Sequence, residues 1–182
     1  MTQPLVVGTL VGNPRPASRT LNAALALREA VGQALRVRGE EVAPTGPLVD
    51  AADLAVEVFT PGSTAVREAL ENLSAADVLV VASPTYKATY TGLLKAVLDQ
   101  APGGWLRGKT AVPLLVAAAD KHALAVEVHL KPLLGELGAQ VPGRGLFVNE
   151  SELAADQTVL ITSLGERLSE AGWFLSPVGA GR

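Results

Sequence analysis

The stretch Ala76-Ala-Asp-Val-Leu-Val-Val-Ala-Ser-Pro-Thr-Tyr-Lys-Ala-Thr-Tyr-Thr-Gly-Leu-Leu-Lys-Ala-Val-Leu-Asp99 constrains the fold more than any other. Its unbroken apolar run, Val78 to Ala82, reads as a strand buried on both faces, since a half-exposed strand would alternate apolar and polar residues. Pro84 has no backbone donor and keeps Ser83 out of the helical region, so the strand, 77–83, is expected to end there. A polar turn, Thr85-Tyr86-Lys87, follows. The helical pattern then places Leu93, Leu94, Val97 and Leu98 inward, over 88–100. A strand that ends in a polar turn and feeds a helix is where open α/β sheets carry their ligand sites.

The rest of the chain repeats this unit. Leu5 to Val11 reads as the first strand, bounded by Gly12-Asn13-Pro14, and a helix follows the loop Asn13–Thr20 and runs to about Arg38. Glu41 to Val49 holds a short second strand at a sheet edge, because Pro44 and Pro47 suit an edge position. A helix is expected over Ala65 to Ser74, capped by Ser63 or Thr64. Thr110 to Ala118 reads as the fourth strand and His122 to Leu137 as a long helix closed by Gly138. A fifth strand is placed near Gln140 to Val148, and a last helix over Leu153 to Ala171. Strands alternating with helices through short connections imply a doubly wound five-stranded parallel sheet, order 2-1-3-4-5, with helices on both faces. No linker or repeat interrupts the pattern, so one domain over 1–182 is expected, with a loose tail at about 176–182.

Composition narrows the functions open to such a fold. The 182 residues include no cysteine, which removes disulfides, thiolate metal sites and a cysteine nucleophile. A net charge of −3 with scattered basic residues does not fit a nucleic-acid surface. No apolar stretch reaches the roughly 18 residues of a membrane span. The Met1-Thr-Gln-Pro start has no basic region ahead of its short apolar run, so a cytoplasmic protein without signal peptide is expected.

In the 2-1-3-4-5 order the first and third strands are neighbours, and the loops at their C-terminal ends face one another across a crevice. The first loop supplies Asn13, Arg15, Ser18, Arg19 and Thr20 at a helix N-terminus, where free N–H groups and the helix dipole favour an anion such as phosphate. The same hydroxyls would serve as plain helix caps. The second loop supplies Pro84, Thr85, Tyr86 and Lys87, suited to the face or edge of a flat ring, although Tyr86 alone would be read as a packing aromatic. Together they suggest a mononucleotide, with flavin mononucleotide (FMN) the best fit to this topology.

Three segments resemble one family. Gly12-Asn-Pro-Arg-Pro-Ala-Ser-Arg-Thr20 is similar to the phosphate loop of the NAD(P)H-dependent FMN reductases, a flavodoxin-like group. Ser83 to Asp99 resembles their second motif, and His122-Ala-Leu-Ala-Val-Glu-Val-His-Leu-Lys-Pro-Leu-Leu134 is similar to the helix after strand four in the alkanesulfonate-type members. The resemblance implies a homo-oligomeric NAD(P)H:FMN oxidoreductase, dimer or tetramer. FMN would be a substrate or weakly bound, NADPH or NADH the hydride donor, and a flavin-dependent monooxygenase the recipient of reduced flavin. It also implies that Tyr90 marks a helix with a π-type bulge at a tetramer interface linked to flavin exchange. The family's Gly-Gly pair after strand four is replaced here by Ala117-Ala118, so Ala118, Ala119 and Asp120 would flank the ring on its other edge. If that loop needs positive φ, alanine there would weaken flavin binding or reshape it. No residue is assigned a catalytic role and no metal is expected, because hydride passes between two cofactors.

Other readings are weighed against this one. Gly103-Gly-Trp-Leu-Arg-Gly-Lys-Thr110 matches the P-loop pattern, but it follows a helix and enters a strand, the reverse of what supports a triphosphate. His122 and His129 lie about 10 Å apart along a helix, too far for one ion. A tight FMN-binding oxidoreductase of quinones, azo dyes or metal oxyanions stays open, as does a non-enzymatic flavodoxin-like electron carrier or interaction module.

Overall fold

The computed structural model describes residues 3–173, so the expected loose tail lies outside the described residues. Strands β1 (Val7–Val11), β2 (Leu48–Asp50), β3 (Val78–Pro84), β4 (Thr110–Ala117) and β5 (Leu146–Asn149) form one sheet. Its order is β2-β1-β3-β4-β5 and every neighbouring pair is parallel. This is the expected flavodoxin-like topology. β3 and β4 are buried along their whole length, as their unbroken apolar runs require.

Helices α1 (Arg19–Val37) and α5 (Gln157–Glu170) cover one face, and α2 (Ala65–Leu73), α3 (Gly92–Leu98) and α4 (Lys131–Glu136) the other. On α1 the side chains of Leu27, Val31 and Leu35 are fully enclosed in the core cluster that also holds Val80 and Val112, each contributing roughly 2 kcal/mol of apolar burial. Pro113 sits inside β4 without breaking it. The Ala111 N–H bonds the Gln140 carbonyl, so alternation turns the missing donor of Pro113 to that same side. There β5 pairing begins one residue later, at Leu114, and no ladder bond is lost.

Several element bounds differ from the sequence reading. The helix expected over 88–100 starts only at Gly92, because Thr91 is its N-cap and Lys87 and Ala88 take positive φ. The long helix expected over His122 to Leu137 is three pieces: a 3₁₀ turn, Asp120–His122, a π-helical segment, Val126–Leu130, and α4. Pro132 has no N–H for the Val128 carbonyl that an α-helix would pair with it, and the wider turn accommodates the gap. The π element expected beside Tyr90 is therefore not in α3, which is regularly α-helical, but in the segment after β4. β5 starts at Leu146 rather than near Gln140, which makes only an isolated bridge to Thr110. The last helix is split into a 3₁₀ turn, Glu150–Ala154, and α5, whose N-cap is Asp156.

Edge strand β5 is closed by side chains. Glu127 accepts from the Gly145 N–H, Arg167 donates to the Phe147 carbonyl at 2.8 Å, and Glu152 accepts from the Asn149 N–H at 2.8 Å. Arg167 also pairs with Glu152. These bonds occupy backbone groups that would otherwise template pairing with another chain.

The C-terminal ends of β1 and β3 are fastened through the start of α3. Thr91 Oγ1 donates to the Gly12 carbonyl and accepts from the Leu94 N–H, while the Thr91 N–H bonds Ser83 Oγ at 3.0 Å. α3 approaches so closely that a Cβ on Gly12 would lie 2.3 Å from the Leu94 Cβ. Gly12→Ala is expected to cost about 2 kcal/mol through overpacking, read as a lower urea midpoint at unchanged slope.

Candidate functional site

The loop after β1 is braced from within. Asn13, only 7% exposed, accepts from the Arg15 N–H through Oδ1 at 3.0 Å and donates from Nδ2 to Thr20 Oγ1 at 3.1 Å. Ser18 caps α1, its Oγ accepting from the Leu21 N–H at 3.1 Å. That leaves the N–H groups of Arg19 and Thr20 without intrahelical partners at the positive end of a 19-residue helix. Ala17 is held at φ 50°. Asp50, at the end of β2, accepts from the Ala17 and Ala52 N–H groups, so the neighbouring strand also braces the loop. The Arg15 guanidinium has no hydrogen-bond or ion-pair partner among the described residues, whereas Arg19 pairs with Glu150 at 2.7 Å.

The loop after β3 is a tight hairpin. The Thr85 N–H bonds the Val116 carbonyl at 2.7 Å, and Tyr86 and Thr89 exchange backbone bonds at 2.8 and 3.3 Å. Lys87 and Ala88, at φ 51° and 69°, give the two successive positive φ values of a type I′ turn without its usual glycine. Tyr86 is 45% exposed at the tip, which removes the packing-aromatic reading for it. Thr85 Oγ1 is buried and without a partner among the described residues.

The two loops enclose a cleft of about 260 Å³. Asn13, Arg15, Ser18, Arg19 and Thr20 line one wall, and Pro84, Tyr86 and Val116 another. Thr85, Lys87, Ala118, Ala119 and Asp120 do not line it. Asp120 instead accepts from Asn149 Nδ2 at 2.7 Å, tying the β4 loop to the β5 loop. Ala117 and Ala118 are absent from the described residues with positive φ, so the alanine pair is accommodated without the strain feared for it. Tyr90 lies ahead of the α3 cap, half-buried against the core on that face.

Sequence reasoning missed Glu150. It reaches the cleft from the loop after β5, two strands away from β3, and only the three-dimensional return of the chain brings it there. The nearest sequence signal was the Asn149-x-x-Glu152 capping box that fixes this turn. The P-loop look-alike is fully explained: Lys109 Nζ donates to the Ser74 and Ala76 carbonyls, each at 2.7 Å, and so caps the end of α2. Among the described residues no group of three His, Asp or Glu side chains could hold a metal, and no helix is long and apolar enough to cross a membrane.

Burial is the main cause that raises the Asp50 carboxyl above its ordinary value of 3.8, against the lowering effect of its backbone donors. A raised folded-state pKa gives stability that is present below 3.8 and is lost as pH rises through the folded value. Asp50→Asn keeps an acceptor and cannot ionise. Its melting temperature relative to wild type is therefore expected to rise as pH is raised through that window, in a series of thermal melts.

A doubly wound parallel sheet with an anion-ready loop and an aromatic hairpin at its switch point defines an α/β protein of flavodoxin-like topology. Residues 5–153 match the family of NADPH-dependent FMN reductases, and the chain belongs to that family. An FMN reductase (NADPH) of Escherichia coli strain K12 is 43% identical over 91 residues, half of this chain and 48% of the relative. The matched stretch thus spans about half the length of that relative. An FMN reductase (NADPH) of Pseudomonas aeruginosa is 30% identical over 186 aligned residues, covering all of this chain and 96% of the relative. Among solved structures, an apo NADH:FMN oxidoreductase superposes with a TM-score of 0.72 at 26% identity, over 98% of this chain and 97% of the other.

Proposed function

We propose that this chain, as a single flavodoxin-like domain over 1–182, is an NAD(P)H-dependent FMN reductase. The observation that carries the reading is the free Arg15 guanidinium beside the exposed amides of α1, in a cleft whose facing wall ends in Pro84 and Tyr86. The donor set fits FMN. The loop Asn13–Thr20 offers a cation, two unpaired helix amides and the positive dipole end to a phosphate. When bound, FMN supplies the ring that accepts hydride from a reduced nicotinamide, so the protein's part is to bind and align.

In this reading Asn13 and Thr20 hold the loop in shape, and Arg15, Ser18 and Arg19 face the phosphate. Pro84, Thr85, Tyr86 and Lys87 border the ring, and Ala118, Ala119 and Asp120 lie toward its far edge. None of these side chains takes or gives a proton. The names of the relatives support both nicotinamide nucleotides as donors, NADPH in one group and NADH in another. The need for reduced nicotinamide nucleotide favours a cytoplasmic protein. Reduced FMN would be handed to a flavin-dependent monooxygenase, as the original resemblance implies.

Self-association is part of the proposal. Leu124 and Val128, 67% and 52% exposed, project beside and within the π-helical segment, and Val56 and Phe59 stand exposed near α3. Such side chains favour cover by a second copy of the chain. A Leu124→Glu, Val128→Glu double variant is expected to shift the elution volume in size-exclusion chromatography toward monomer. Tyr90→Ala, run beside it, tests the interface role given to Tyr90.

The deciding assay is oxidation of NADPH and of NADH with and without added FMN. A colourless protein that turns over only with FMN supports the flavin-releasing reductase. A yellow protein active without it supports a tight-binding oxidoreductase, and a colourless, inert one leaves only the non-enzymatic module. Arg15→Ala with Ser18→Ala is expected to weaken FMN about tenfold or more and riboflavin little, by fluorescence titration, since only FMN carries the phosphate. Equal loss for both flavins would overturn the phosphate assignment.

A further inference from the structure

Glu150 is the single carboxylate among the residues that line the cleft between the β1 and β3 loops. Its Oε2 accepts from Arg19 Nη2 at 2.7 Å, closing a bridge between the loop after β5 and the first residue of α1. The turn that carries it is well fixed. Asn149 caps it, Glu152 returns to the Asn149 N–H at 2.8 Å, and Arg167 holds Glu152. The two ends of the bridge are not locked in: the side chains are 66% and 37% exposed, so the pair can open into water at little cost.

An acid is out of place in a cradle for phosphate. Arg15 and Arg19 bring two positive charges to the cleft and Glu150 removes one, against a monoester that carries close to two negative charges at neutral pH. Asn13, Ser18 and Asp50 are already engaged in bracing the loop, so the balance among Arg15, Arg19 and Glu150 sets how strongly the cleft attracts an anion.

We propose that Glu150 is a built-in competitor for Arg19. It occupies the guanidinium when the cleft is empty, must yield it to the flavin phosphate, and repels that phosphate while both are present. Its effect is to narrow the affinity gap between phosphorylated and unphosphorylated flavin and to hasten release of FMN. Glu150 acts through Arg19 and through its charge, as a positioning residue without contact to the reacting ring. This inference rests on the reading that the cleft takes the phosphate of FMN.

The test is flavin titration of the apoprotein by fluorescence quenching, at low and at high salt, for wild type, Glu150→Gln and Glu150→Asp. Glu150→Gln is expected to bind FMN about fivefold more tightly, equivalent to ~1 kcal/mol, with a steeper salt dependence and with riboflavin unmoved. Inorganic phosphate should compete with FMN more strongly in that variant than in wild type. Glu150→Asp, which restores the charge, should return FMN affinity toward wild type. FMN affinity in Glu150→Gln that is unchanged or weaker, in a wild type that prefers FMN to riboflavin, overturns the inference and leaves the cofactor reading intact. A wild type and a Glu150→Gln variant that both fail to distinguish the two flavins remove both. A merely structural role for Glu150 would shift both flavins together and would appear as a lower melting temperature.

Discussion

The Thr91 hydroxyl is the point on which the working end of the molecule depends. By donating to the Gly12 carbonyl and accepting from the Leu94 N–H, it joins the end of β1 to the start of α3, while its own backbone amide reaches Ser83 on β3. All three positions are buried, where hydrogen bonds are electrostatically stronger and an unmade one is costly. The loops that form the two walls of the cleft therefore leave from one fastened place. Their separation is set by a side chain that itself lies outside the cleft.

The same economy governs the β1 loop. A serine ahead of a helix can be read as a cap or as a ligand group, and the geometry makes the alternatives compatible. The Ser18 oxygen is engaged with Leu21, yet that bond leaves the first two amides of α1 unpaired. Asn13 and Asp50 act from behind, one within the loop and one from β2, to hold a backbone that includes an alanine in the left-handed region. The residues facing the cleft are held by residues that do not need to touch a ligand.

The sheet was legible because buried parallel strands must be apolar throughout: Val78 to Ala82 and Thr110 to Ala117 announce themselves, and the order follows from alternation with helices. What the sequence hid was governed by backbone geometry rather than by side-chain pattern. Lys87 and Ala88 have no glycine to betray a positive φ, so the spacing starts the helix at 88, inside a hairpin that runs on to Thr89. Hydrophobic spacing cannot separate an α-turn from a π-turn, so Val126–Leu130 passed as ordinary helix and the π feature was assigned to the wrong segment. Two loops of the cleft were found because topology makes them neighbours. Glu150 was not, because its approach depends on the path of a turn after the edge strand, which no periodicity encodes.

The Lys87–Ala88 turn has a consequence for how this chain can change. Two side-chain-bearing residues in the left-handed region each forgo roughly 1 kcal/mol that glycine would relieve in the folded state. Part of that relief would be offset by the greater freedom glycine brings to the unfolded chain. A drift toward Asn-Gly at this turn is thus an accessible route to a more robust protein, open at two adjacent positions. Such a drift would exchange a tip whose conformations are narrowed by Cβ atoms for one that can relax, at the wall of the cleft that ends in Tyr86. Robustness and the definition of that wall are set against each other in a single pair of residues.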